Sequence, residues 1–317
     1  MANANIVVTP RYWKKKLVLF KAEAAYGVDA LPTGLANWIE ARNVSLTAYD
    51  AETADRGIEQ PYFGNSGKVI LSSWSKVSFD VALAGSGTPG LAPKWAPLLL
   101  GSSFAETLTP DTSAIYNLVS AALGSVTGYL NIDGTLHKFF GSRGNVKLKL
   151  AAKGVPMLSF EFTSLYNDPA AVVAPTVDRS GWIVEEGVNA ANTSHITIDG
   201  VDMAWSEINC DIGNEISRVN LPGPQVEVVI GDRKPTADVT VVAPALQVFN
   251  PYALASKGDT LVISTTHGSV AGKQIKTELK VRIVGVAETE IEKLFAYKLT
   301  LEPTPVLGND EITITCL

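Results

Sequence analysis

Lys76-Val77-Ser78-Phe79-Asp80-Val81-Ala82-Leu83-Ala84 decides the fold class. Val77, Phe79, Val81 and Leu83 fall on one side of an extended chain, and Lys76, Ser78 and Asp80 on the other. This is the two-residue period of a strand with one buried and one wet face, the antiparallel habit. The same period returns at residues 158–163, 238–241, 296–301 and 312–314, and residues 16–23 read as a first strand. Turn formers punctuate the intervals: Gly85-Ser86-Gly87-Thr88-Pro89-Gly90, residues 131–134, residues 221–224 and Gly308-Asn309. One short helix is expected over residues 93–100, carrying Trp95, Leu98 and Leu99, and a weaker one over residues 244–255. The chain reads as all-β with one or two short helices.

With 317 residues the length suits two domains and a sizeable core. A formal charge of −6 argues against a protein that grips nucleic-acid phosphates. The charged fraction, 18%, lies below the ~25% of average soluble chains, as it does when surface is hidden against partners or when the core is large. No apolar run approaches the ~20 residues of a membrane helix. No signal peptide is evident, and Cys210 and Cys316 make no disulfide framework, so cytoplasmic synthesis is expected.

An internal repeat organises the chain. Residues 44–83 lie over residues 202–241 at a constant offset of 158, which sets Lys76–Val81 against Lys234–Val239. A helix candidate follows each copy. Each then closes with a similar strand, Phe160–Thr163 over Tyr297–Thr300, the offset falling to 137 because the first copy carries a longer insertion. The expected division is an arm and first strand over 1–33, a first domain over 34–170, a linker over 171–180 and a second domain over 181–317.

The motifs that hint at chemistry are weak. Residues 85–90 match the letters of a dinucleotide loop but lack the βαβ unit it needs. Ser73-Trp74-Ser75-Lys76 has a serine–lysine spacing, on a segment that alternates as a strand. His137, His195 and His267 have no metal-ligand spacing, and are expected in loops or at strand ends. Glu185-Glu186 and Asp310-Glu311 sit in loop-like surroundings with nothing to fix a catalytic separation. The sole basic run, Arg11 with Lys14, Lys15 and Lys16, reads either as a solvated approach to the first strand or as an arm docking on an acidic neighbour. No catalytic, cofactor or metal site is expected.

Residues 17–34, Leu-Val-Leu-Phe-Lys-Ala-Glu-Ala-Ala-Tyr-Gly-Val-Asp-Ala-Leu-Pro-Thr-Gly, running on to Trp38-Ile-Glu-Ala-Arg-Asn-Val-Ser-Leu-Thr47, resemble the N-terminal region of siphophage major tail tube proteins. The likeness is closest to those of Mu-like transposable Pseudomonas siphophages and is strongest over residues 11–85. It implies tandem β-sandwich domains whose inner sheets join those of neighbouring chains in a ring-spanning barrel. It also implies stacked rings around a channel for phage DNA, assembled in the host cytoplasm and carried in the virion tail. Two domains per chain favour a trimeric over a hexameric ring. Partners implied by the family are the tape measure protein, the tail terminator and the distal tail protein. Asp80, Glu161, Asp238, Lys298 and Glu302 are the candidates to face the lumen, netting three negative charges. Arg11, Lys14, Lys15 and Lys16 are the candidates for an inter-ring arm. The alternative is a phage decoration or receptor-binding module, for which Trp13, Trp38, Trp182 and Trp205 would supply an exposed aromatic patch.

Overall fold

The computed structural model of the chain describes residues 10–317. The first half opens with β1 (Lys16–Ala22), the one-turn helix α1 (Gly34–Asn37) and β2 (Trp38–Ile39). A long hairpin follows, β3 (Ala41–Asp55) and β4 (Lys68–Ala82), then α2 (Ala96–Leu100). Next come β5 (Phe104–Thr109), β6 (Ser113–Leu118), β7 (Val126–Ile132), β8 (Thr135–Ala151), β9 (Met157–Leu165) and β10 (Ala170–Ala171). The second half begins with β11 (Ile196–Ile198), β12 (Val201–Met203) and β13 (Trp205–Asp211), then the hairpin of β14 (Asn214–Asn220) and β15 (Val226–Arg233). It continues through β16 (Thr236–Val242), α3 (Pro251–Lys257), β17 (Leu261–His267), β18 (Ile275–Ile291), β19 (Leu294–Pro303) and β20 (Ile312–Cys316). All-β with a few short helices is the observed class.

Both helices start later than the sequence suggests. Residues 93–96 form a turn closed by the Ala96 N–H donating to the Pro93 carbonyl, and α2 runs only from Ala96. The α3 start is set by Asn250, whose side chain accepts from the Ala253 N–H with Pro251 in the first turn. Gly258, at φ +69°, ends it in the left-handed conformation.

The main sheet is antiparallel and runs β3-β4-β9-β8-β13-β16-β19-β18. Its first four strands and its last four follow the same pattern: an opening strand, its neighbour across a hairpin or insertion, then the closing strand and the long strand that precedes it. The two runs meet at the β8–β13 seam, where Lys147 lies opposite Asp211 and Ala151 opposite Glu207. A second layer covers the apolar face. β7 pairs with residues 135–142 of β8 and with β1, while β17 pairs with residues 275–281 of β18 and with β11. Strands β8 and β18 are long because each serves both layers, bending at register shifts between Phe140 and Arg143 and between Ile283 and Gly285. Residues 101–144, unassigned by pattern, supply the β5–β6 hairpin, β7 and the front of β8, and the hairpin adds to β20 of the second half.

Burial follows the alternation. Val77, Phe79, Val81 and Leu83 are buried, with Lys76, Ser78 and Asp80 on the partly wet side. Phe20, Phe79, Phe160 and Phe162 form one aromatic cluster, with ring centroids 5.2–6.2 Å apart. Each ring contributes on the order of 2–3 kcal/mol by leaving water. Trp95 packs on Tyr116 at 5.5 Å and donates its indole N–H to the Ala84 carbonyl at 2.8 Å. The loop at residues 85–90 is structural: a Cβ on Gly85 would sit 2.2 Å from the Gly272 carbonyl oxygen, so the two halves touch there backbone to backbone.

Candidate assembly surfaces

The cross-strand registers put all five lumen candidates on one face of the main sheet, opposite the core. Asp80 lies opposite Ser159, Ser78 opposite Glu161, Asp238 opposite Thr300 and Thr240 opposite Lys298, with Glu302 two residues beyond Thr300. The same face holds Lys147, Lys149, Glu207 and Asp211, which pattern reading missed. Lys147 pairs with Asp211 at 2.8 Å and Lys149 with Glu207 at 3.5 Å, directly across the seam between the halves. Burial pushes the Asp211 carboxyl up, but the Lys147 ammonium, the Asn145 amide and the Gly213 N–H outweigh it and hold it below the usual carboxylate range. These pairs are neutral and leave the balance of the five candidates negative, less one charge where Arg282 lies opposite Glu302. The missed residues carried a signal, since Asn145-Val-Lys-Leu-Lys-Leu150 alternates as clearly as Lys76–Leu83.

The sheet does not close on itself. Among the described residues β3 pairs only with β4, and residues 284–291 of β18 pair only with β19. Both free edges carry acids: Asp50, Glu52 and Asp55 lie along β3, while Lys14, Lys16, Arg42 and Arg179, with Glu40, line the hollow beside its start. The free stretch of β18 exposes Glu288 and Glu290, Glu288 accepting from the Tyr252 hydroxyl at 2.8 Å.

The basic run folds back on its own chain. Arg11 bonds the Thr135 hydroxyl, Lys15 reaches Asp133 at 3.2 Å, and Lys16 donates to the Val44 carbonyl at 2.8 Å from above the Trp13 ring. The four tryptophans are not one patch: Trp38 and Trp182 meet edge-on at 6.1 Å, whereas Trp205 donates to the Ser194 carbonyl elsewhere.

One hairpin already crosses between the halves. β14–β15 lies over the first half at the end of its strands. Asn214 donates to the Ser102 and Gly144 carbonyls at 3.1 and 3.0 Å, and Arg143 donates to the Val228 carbonyl at 2.8 Å. Further out, Arg218 pairs with Asp50 at 2.9 Å and Asn220 donates to the Leu71 carbonyl. Val228 is 0% exposed beneath it.

The groups that hinted at chemistry have structural neighbours. Glu185 pairs with Arg42, Glu186 with Lys273 at 3.8 Å, Asp310 with Lys280 at 2.6 Å and Glu311 with Arg233 at 2.7 Å. Both cysteines are buried, which pushes their thiols up to about 12. His267 is buried at the end of β17 against the Thr193 hydroxyl at 2.9 Å, and burial lowers its pKa. His195, in the loop before β11, lies 3.2 Å from Asp202 of β12, both side chains exposed. His137 lies inside β8, not at an end, because the chain straightens directly after the Asp133-Gly134 turn. Ser73 and Lys76 sit on extended β4. Among the described residues no three His, Cys, Asp or Glu side chains gather as a metal site, and no helix is long and apolar enough to cross a membrane.

The chain is an open antiparallel sheet with two free edges and an ion-paired outer face. A family model described as phage tail tube protein matches residues 13–316, and the chain belongs to that family, a structural component of the phage tail. A search of curated proteins found no match.

Proposed function

We propose that three chains close into a ring by pairing the free stretch of β18 on each with β3 of the next, and that such rings stack into the tube conducting DNA from capsid to host. One observation carries this reading: the β8–β13 seam already joins two four-stranded runs edge to edge within a chain. β18 and β3 are the matching edges left over. Each copy is then one tube domain, divided near residues 171–180.

Three chains of eight strands give about 24. At ~4.8 Å spacing and ~40° tilt the circumference is ~150 Å and the barrel ~48 Å across. Side chains leave roughly 35–40 Å, wider than a DNA duplex. The charged face turns inward; Lys76 and Arg42 on it are paired with Asp50 and Glu185, and Asp80, Glu161, Asp238 and Glu302 outnumber the remaining Lys298 and Arg282, so phosphate slides past without binding. The chain acts without a cofactor and without catalysis. Its partners are copies of itself, with the tape measure, tail terminator and distal tail proteins at the ends, joined in the host cytoplasm. The Mu-like affinity rests on residues 11–85.

Negative-stain electron microscopy of the purified full-length protein, with rotational analysis of end-on views and mass per ring, tests this. Hollow tubes of three chains per ring are expected. Compact particles at high concentration would favour the decoration module instead. Deleting residues 1–16 then places the basic run: rings that fail to stack make it an inter-ring arm, and lost rings put it at the β3 seam. Unaltered tubes would deny it both roles.

A further inference from the structure

The geometry points to a second use of the fold's internal seam: the β3–β4 hairpin of one chain lies across the second half of its neighbour in the ring, in a hollow lined by Thr236, Val284, Glu302, Pro303 and Pro305. This rests on the ring reading above and adds to it a contact other than strand pairing.

The template is β14–β15, which crosses from the second half onto the first over the bend of β8 and the end of β9 and buries Val228 there. In the other copy the hairpin at the same place is β3–β4, whose outer part carries Ile70. Ile70 has no such seat in its own chain. It is 61% exposed, and Val69, Leu71, Tyr62 and Phe63 around it are exposed as well. A hairpin with so much bare apolar surface is unusual unless something covers it.

The seat exists, empty, where the repeat places it. In the first half β14–β15 rests where β8 bends between layers, beside the end of β9. The same place in the second half is the bend of β18 at Ile283–Gly285 beside the end of β19. There the surface is hollow, walled by Thr236, Glu302, Pro303 and Pro305, with Val284 59% exposed. No segment of the same chain fills it. Once β18 of one chain pairs with β3 of the next, the β3–β4 hairpin emerges beside that hollow, as β14–β15 emerges beside β8 after the β8–β13 seam. The occupant is therefore a second copy of this chain, within one ring.

The test is chemical cross-linking of assembled full-length protein carrying Ile70→Cys and Val284→Cys, using a short bis-maleimide and a denaturing gel. Cys210 and Cys316 are buried, and the two single variants report any background from them. Cross-links that run round a ring end at a closed trimer, so dimer and trimer bands with nothing larger are expected. A ladder beyond trimer would mean the hairpin reaches another ring and would overturn the proposal, as would tubes of normal diameter with no product. A preparation with no rings at all defeats the ring reading itself. Should the first pair impair assembly, Val69→Cys with Pro305→Cys repeats the measurement with the same expected bands.

Discussion

The first half of the chain has both its open side and its strand ends covered by the second: β13 takes the edge of β8, and β14–β15 buries the surface beside it. In the second half the corresponding edge, residues 284–291, and the corresponding hollow stand bare. On the proposed reading of the chain as two copies, one interface is formed internally and its counterpart is left open. The bare edge is not apolar; it carries Glu288 and Glu290, which discourage like-with-like edge pairing.

The largest effect should come from proline on the bare edge. Ala287→Pro and Glu288→Pro place the missing N–H on opposite sides of β18, one toward β19 and one toward the open side. One variant should fold normally and form no rings in micrographs, while the other should lose thermal stability. Two variants that both assemble would show that the edge is not a seam.

Next come the cores. Phe160→Ala should destabilise by about 3–5 kcal/mol in urea unfolding, because its ring is locked among Phe79 and Phe162. The counterpart Tyr297→Ala should fall toward the lower end of that range, since Phe295 and Tyr252 beside it are partly exposed and can close in. Equal losses would mean the halves pack alike.

Arg233→Met tests the buried tie between β15 and the turn before β20. It leaves the Glu311 carboxylate, 3% exposed, without its partner and should cost about 3 kcal/mol. Restoring stability with Glu311→Leu in the double variant would confirm that the loss is the stranded charge.

The seam across the two halves should register in acid. Asp211 titrates below its unfolded value, so its contribution is complete above about pH 4 and is lost as pH falls through the folded value. Asp211→Asn should therefore flatten the decline of unfolding midpoints on acidification and leave the slope near neutrality unchanged. The smallest effect belongs to Lys149 and Glu207, both well exposed. A double-mutant cycle there should give less than about 1 kcal/mol, shrinking with salt.

Strand segments that lie in one layer were legible: residues 76–81 of β4, 158–162 of β9, 236–239 of β16, 297–303 of β19 and the whole of β20 alternate, because one face meets the core there. The strands that bind the architecture together were not. β8 and β18 change layer midway, so the buried side switches at Phe140–Arg143 and at Ile283–Gly285, and no single period spans them. β3 was blurred by three register shifts and by Asn43 in the left-handed region. The five charged candidates were found because they alternate with core residues. Their ion-paired neighbours at the seam were missed because pairing depends on which strands become adjacent, and that is settled by the two bends. The glycine loop gave a misleading motif for a related reason, since Gly85 answers to a backbone far along the chain, at Gly272.

The β8–β13 seam has a kinetic consequence. Its two strands are tethered by one chain, so they meet at the effective concentration set by that tether and do not part on dilution. A ring of three such chains closes through three encounters in place of six. Its assembly should follow roughly the cube of subunit concentration where a six-chain ring would follow the sixth power, and the tube can nucleate from a far thinner pool of subunits.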